Sequence, residues 1–208
     1  MTPRNSSGVF LCPDRPLGVV RLCCRRVSQT KRGFAKRRRC QAVVSLAITA
    51  EPFDSPDAKR LIAALDAALS ELYPPEQRFG PNLKAQHLAG GLGTFLVARD
   101  GGRAVGCGAI RLIDPRTAEV KRMYVEPEHR GKGVARAVLA RLDAAARRLG
   151  ARRLVLETGT HSPEALALYR GAGFTQIDCW GEYATSPTSL CFEKSLTDLP
   201  AMTVRNGP

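Results

Sequence analysis

No run of 18 apolar residues occurs in the 208-residue chain, which excludes a membrane-spanning helix of ordinary length. Histidine is scarce, at three, and the cysteines show no paired Cys-x-x-Cys spacing. Seven cysteines make an odd number, and no secretory signal is evident, so reduced thiols in a cytosol-like compartment are expected. Cys12, Cys23, Cys24 and Cys40 have no histidine near them, and no metal site is expected. No Gly-Lys-Ser/Thr follows a four-residue spacer, which excludes a Walker-type phosphate loop.

Acidic residues are nearly missing from positions 1–42. Asp14 stands there against Arg4, Arg15, Arg21, Arg25, Arg26, Lys31, Arg32, Lys36, Arg37, Arg38 and Arg39. That arm therefore carries +10 of the chain's net +13, and the body is almost balanced. Three readings of the arm stay open. Lys36–Arg39 has the composition of a nucleic-acid-binding tail; an Arg-rich, acid-poor segment also fits an organelle transit peptide; and its lack of periodicity fits a disordered extension, including sequence upstream of the true start. The last is favoured, so nucleic acid is expected as a partner only through this arm. Residues 200–208 read as a disordered tail.

The body, residues 43–199, has the length of one domain. Val43–Thr49 is a β-branched apolar run and predicts a strand. Ser55-Pro56-Asp57 supplies a helix start, and Leu61, Ile62, Leu65, Leu69 and Leu72 follow at helical spacing to Pro74-Pro75. Residues 76–92 read as a loop with room for one short helix. Thr94–Arg99, Ala104–Ile113 and Ala118–Val125 predict a three-stranded meander. Val134, Val138, Leu139, Leu142, Ala145, Ala146 and Leu149 then mark one face of a long helix closed by Gly150. A short strand at Arg153–Glu157 precedes a second helix, with Ser162 as cap and Pro163 first. Phe174–Asp178 and Ser189–Ser195 read as closing strands. The order predicts a mixed α/β sheet with helices on both faces.

Between the third meander strand and the long helix lies Arg130-Gly131-Lys132-Gly133-Val134-Ala135. A glycine-bearing turn opening a helix leaves backbone N–H groups free at the positive end of the helix dipole, a site for phosphate. Together with Ala165-Leu166-Ala167-Leu168-Tyr169 and Gly173-Phe174, this turn resembles the two motifs of the GNAT superfamily of N-acetyltransferases. The likeness covers roughly residues 43–196. Lys121-Arg122-Met123-Tyr124-Val125 and Leu156-Glu157-Thr158-Gly159 look like a small bacterial branch of it.

The resemblance implies acetyl-CoA as cosubstrate, without a metal, on a largely antiparallel sheet with one splayed parallel pair. It implies that Arg130, Gly131, Lys132, Gly133, Val134 and Ala135 hold the pyrophosphate, and that the main chain of Met123, Tyr124 and Val125 pairs with pantetheine. Ser162 stands where the family often has an Asn that contacts pantetheine. Tyr169 matches the family's general acid, and Glu119 and Glu157 are alternative general bases. His129 and His161 read as loop polar residues. The implied activity is acetyl transfer to a primary amine, a small or amino-acid-like molecule. Asp178, Glu182 and Tyr183 are candidates to line its pocket. Three alternatives stay open: a weakly catalytic acetyl-CoA-binding regulator acting through a partner, a peptide N-acetyltransferase, and a nucleic-acid-binding protein that uses the arm. A cytoplasmic protein with no membrane partner is expected, and a homodimer is left open.

Overall fold

A serine, a proline and an aspartate start the first helix. Ser55 accepts the Ala58 N–H on its hydroxyl at 3.2 Å, Pro56 takes the first helical position, and Asp57 complements the dipole of α1 (Pro56–Leu72). The helix stops at Tyr73, before Pro74 and Pro75. The computed structural model describes residues 19–22, 44–77 and 83–197. The expected loop after α1 carries short 3₁₀ turns at Pro75–Gln77, Ala85–His87 and Ala89–Gly91 instead of one short helix.

Among the described residues eight strands form one sheet: β1 (Val19–Leu22), β2 (Val44–Ala50), β3 (Gly93–Asp100), β4 (Arg103–Asp114), β5 (Thr117–Val125), β6 (Arg153–Gly159), β7 (Thr175–Ile177) and β8 (Ser189–Ser195). Their spatial order is β1-β2-β3-β4-β5-β6-β8-β7. The meander β3-β4-β5 forms as the alternation predicts. Gly101 and Gly102, both at positive φ, make its first turn, and the Asp114 carboxylate accepts the Arg116 and Thr117 N–H groups in its second. Strand β1, within the aperiodic arm, pairs antiparallel with β2 from Val19↔Ala47 to Leu22↔Val44. The rest of the arm and residues 198–208 lie outside the described residues.

Helices α2 (Val134–Arg148) and α3 (Pro163–Gly171) cover one face of the sheet, where Ile110, Val120, Val138, Leu142, Leu156, Tyr169 and Phe192 pack together. Helix α1 covers the other, over Phe95, Val97, Cys107 and Ala109. This is the architecture the motifs implied, with helices on both faces.

The junction of β5 and β6 positions the site. They are the one parallel pair among the described strands, in register from Thr117↔Arg153 to Val120↔Leu156. There the pairing ends, although β5 runs on to Val125 and β6 to Gly159. On its other side β5 carries a bulge. Lys121 lies opposite Ala109 and Tyr124 opposite Cys107, so one extra β5 residue is accommodated, and Arg122 takes φ 57°. Left-handed backbone at a non-glycine residue costs on the order of 1–3 kcal/mol and needs support from its surroundings. The Cys107 thiol donates to the Arg122 carbonyl at 3.3 Å, and the Arg122 guanidinium donates to Asp66 at 2.6 Å. Gly108 faces the bulge: a Cβ there would lie 2.6 Å from Met123 Sδ and 2.9 Å from α2 side chains.

Candidate active site

The glycine turn is built as its sequence demands. After the 3₁₀ turn Pro127–His129, Arg130 is extended, Gly131 has φ 71°, and Gly133 caps α2 at φ 85°. No side chain caps this helix, and its first internal bond runs from the Ala137 N–H to the Gly133 carbonyl at 3.0 Å. The N–H groups before Ala137 therefore have no partner within the helix. A Cβ on Gly131 would meet nothing within 4 Å, so the space above the turn is open. Lys132 is exposed beside it, and the Val134 side chain is core. Arg130 is tied down: its Nε donates to the Val125 carbonyl at 3.1 Å, and its guanidinium lies 6.0 Å from the centre of the Tyr124 ring. These donors suit a polyanion.

Beneath the turn, Glu126 is 6% exposed and accepts from Arg60 and from Arg103 at 2.7 Å. Glu126, Glu128 and His129 bring potential ligand atoms within 4.8 Å of one another, but Arg103 also takes Glu128 at 2.9 Å. Arginines already hold both carboxylates.

The second half of the site lies on the α1 face where β5 and β6 part. Glu119 is 1% exposed. Arg111, opposite it on β4, donates from Nε and Nη2 to Oε2 at 2.7 Å each. The Tyr183 hydroxyl donates to Oε1 at 2.8 Å, and Lys121 Nζ lies 3.4 Å from the same oxygen. Lys121 also donates to the Tyr183 hydroxyl at 2.7 Å. Burial lowers the Lys121 ammonium, with Glu119 working against that shift, and burial raises the Tyr183 hydroxyl. Glu119 is thus a carboxylate with every oxygen engaged.

Glu157, on β6, stands differently. The Ser189 hydroxyl donates to its Oε1 at 2.6 Å, and burial lifts the carboxyl above its usual range. Tyr169, on α3, is 6% exposed and packs edge-on against Phe174 with ring centres 5.9 Å apart. Burial and then the Glu157 charge raise its hydroxyl, so the phenol is neutral at ordinary pH. Glu157 and Tyr169 are therefore within electrostatic reach of each other. Ser162 occupies the cap position of α3, but its side chain makes no capping bond, contrary to the sequence expectation. Tyr73 crosses from the end of α1, accepting the His161 N–H on its hydroxyl at 2.8 Å and lying against Gly159, where no Cβ would fit.

Of the pocket candidates, Tyr183 is buried and turned inward, whereas Asp178 and Glu182 are exposed. Arg111, Lys121, Tyr73 and Ser189 had not been singled out for roles here. Lys121 could have been found, because residues two apart on a strand share a face and Glu119 was already a candidate. The expectation of reduced thiols is corrected at one pair. Cys179 and Cys191 form a disulfide, and Cys107 remains a buried free thiol. Burial pushes the Cys107 thiol up to about 12, as a structural cysteine requires.

Comparison with known proteins agrees with this geometry. Residues 61–174 match the Acetyltransferase (GNAT) family. A protein of Azospirillum brasilense described as an IAA acetyltransferase is 43% identical over 138 residues, 66% of this chain and 89% of that protein. A crystal structure from Klebsiella pneumoniae superposes with a TM-score of 0.62 at 36% identity, covering 73% of this chain and 97% of the other. A GNAT acetyltransferase of Elizabethkingia anophelis, solved with acetyl-CoA bound, shares the fold at 19% identity and a TM-score of 0.54, over 72% and 97% of the two chains. The chain, with its glycine-capped helix and divergent parallel strands, belongs to the Acetyltransferase (GNAT) family and is an acyltransferase.

Proposed function

We propose that the protein transfers the acetyl group of acetyl-CoA to the primary amine of a small or amino-acid-like molecule. The observation that carries this reading is the end of β5–β6 pairing at Val120 and Leu156, with Glu157 the next residue of β6 and the uncapped start of α2 following the far end of β5. One fold neighbour holds acetyl-CoA, which supports the same cosubstrate here.

In this reading the backbone N–H groups of residues 131–135 and the side chain of Lys132 hold the pyrophosphate, and Arg130 braces the turn against β5. The main chain of Met123, Tyr124 and Val125, beyond the last β5–β6 pair, receives the pantetheine arm as an added strand on that side, and Ser162, whose hydroxyl makes no capping bond, contacts the same arm. Glu157, directly or through a water, takes a proton from the acceptor ammonium. The freed nitrogen lone pair forms the N–C bond at the thioester carbonyl, the C–S bond breaks, and Tyr169 gives its proton to the departing sulfur. The tyrosinate recovers a proton from the new amide nitrogen, so each turnover releases one proton overall. A carboxyl raised by burial is a stronger base than an exposed one, and a neutral phenol is an acid in the form it needs. Glu119 anchors Lys121 and Tyr183 and is not the base in this scheme.

Calorimetry with acetyl-CoA should show binding by the wild type. Gly133→Trp should abolish it, because a bulky residue at φ 85° both strains the turn and fills the phosphate space. Thiol release across an amine panel then reports turnover. A wild-type protein that does not bind acetyl-CoA would refute this function.

A further inference from the structure

Lys121 and Glu157 face one gap without closing it. Ala109, opposite Lys121, lies in the cluster under α1, so Lys121 projects from the α1 face. Glu157 follows Leu156, which packs into the other core, so Glu157 shares that face. Val120 and Leu156 are the last paired residues, which makes Lys121 and Glu157 the first residues across the divergence. Each lies within electrostatic reach of the other, yet they form no ion pair: Lys121 is bonded to Tyr183 and Glu119, and Glu157 to Ser189.

The charges of the cluster sharpen the point. Arg111, Glu119 and Lys121 together leave one buried positive charge. Ionised Glu157 balances it across the gap. A docking acceptor ammonium adds a positive charge, and its proton transfer to Glu157 moves that charge without removing it, so the balance is lost and one charge stays uncompensated in a poorly solvated place. An anion arriving with the acceptor would restore it.

We propose that the acceptor is an amine that also carries a carboxylate, an amino acid or a close analogue, with its ammonium on Glu157 and its carboxylate on Lys121. The Tyr183 hydroxyl accepts from the Lys121 ammonium and fixes its position. The spacing of the two charges in such a molecule suits two side chains at one register of neighbouring strands. This assignment rests on the acetyl-transfer reading above and adds the class of acceptor.

The test uses the full chain, acetyl-CoA, and amino acids paired with their carboxamides, with thiol release giving kcat/KM for each. Carboxylates should exceed their carboxamides by roughly 10- to 100-fold, the span of one charge-assisted hydrogen bond. Lys121→Met should bring that ratio close to one, Lys121→Arg should restore much of it, and Tyr183→Phe should lower it part of the way. Calorimetry with acetyl-CoA on each variant checks that the fold persists. Preference of the wild type for carboxamides or carboxylate-free amines, or a ratio unmoved by both Lys121→Met and Tyr183→Phe, overturns the assignment and leaves acetyl transfer standing. Binding of acetyl-CoA without turnover of any amino acid overturns it too. Failure to bind acetyl-CoA refutes the underlying reading instead.

Discussion

Replacing Glu157 by Gln tests the proposed base with two independent readouts. Gln keeps an oxygen for the Ser189 hydroxyl, so the local geometry has a partner to hold. Loss of a positioned general base lowers turnover by about 10²–10⁴-fold, and the acid limb of the kcat/KM profile should vanish with it. That limb should lie above the ordinary carboxylate range in the wild type, because burial raises Glu157. Ser189→Ala gives the opposing control. The Ser189 hydroxyl favours the ionised carboxylate, so its removal should push the limb to still higher pH. A hydrogen bond to an ionised group is worth about 1.5–3 kcal/mol. On the acid side of the limb Ser189→Ala should therefore be roughly 10- to 100-fold slower than wild type, with a much smaller loss on the plateau.

Stability should move the other way. A carboxyl whose folded pKa is raised supports the fold most fully below its unfolded value, and that support is lost as pH rises through the folded one. Ionised Glu157 thus burdens the native state at neutral pH, and Glu157→Gln should melt higher there, with the gain disappearing below the unfolded carboxylate range. Thermal denaturation at several pH values, alongside stopped-time thiol release, measures both effects. An acid limb that persists in Glu157→Gln, or one that Ser189→Ala leaves in place, would refute the assignment of Glu157 as the base.

Tyr169→Phe should lower kcat by about 10²-fold or more and leave acetyl-CoA affinity nearly unchanged, since it removes one acidic hydroxyl from a packed ring; calorimetry and turnover on the same preparation separate the two. Opening the Cys179–Cys191 link, by Cys179→Ser or a dithiol reductant, should raise the acceptor KM more than the acetyl-CoA KM, because the link closes a loop holding both Tyr183 and Ser189. A loop of this length predicts a stability loss of about 3 kcal/mol in the chain-entropy account, which urea denaturation with and without reductant would show. Gly159→Ala should displace Tyr73 and its bond to His161 and cost about 1–3 kcal/mol, the usual range for overpacking a filled site. Denaturation would measure that loss, and an unchanged midpoint would mean that Tyr73 has room to move.

Features encoded by neighbouring residues were legible. The start of α1 at Ser55-Pro56-Asp57, the meander with its Asp100-Gly101-Gly102 turn, and the glycines that open α2 each follow from local chemistry. Features that depend on register were not. The left-handed backbone at Arg122 leaves no mark in its sequence, since arginine has no preference for it; Cys107 and Asp66, 15 and 56 residues away, hold it there. The contact of Tyr183 with Glu119 spans 64 residues. The disulfide failed for a similar reason. An odd cysteine count argued for free thiols, whereas the β7–β8 register, with Ile177 opposite Cys191, brings Cys179 close enough to bond. At Ser162 the local rule itself misled, because the cap residue is present and the capping bond is not.

Two carboxylates sit on one face of the sheet, Glu119 buried and Glu157 half-buried, and their partners set them further apart. Glu119 has an arginine on one oxygen and a tyrosine and a lysine on the other, so both of its oxygens are committed to fixed partners. Glu157 has one hydroxyl and no cation bonded to it, so its proton can come and go at the cost of one hydrogen bond. Environments that set two acids apart in this way assign them different work. The bulge at Arg122 follows directly on the last paired residues Val120 and Leu156, and Glu157 is the next residue of β6. The same divergence leaves Lys121 beside the gap and not across a ladder bond from Glu157. The proposed base, anchor and charge partner thus all lie within a few residues of the point where the two strands part.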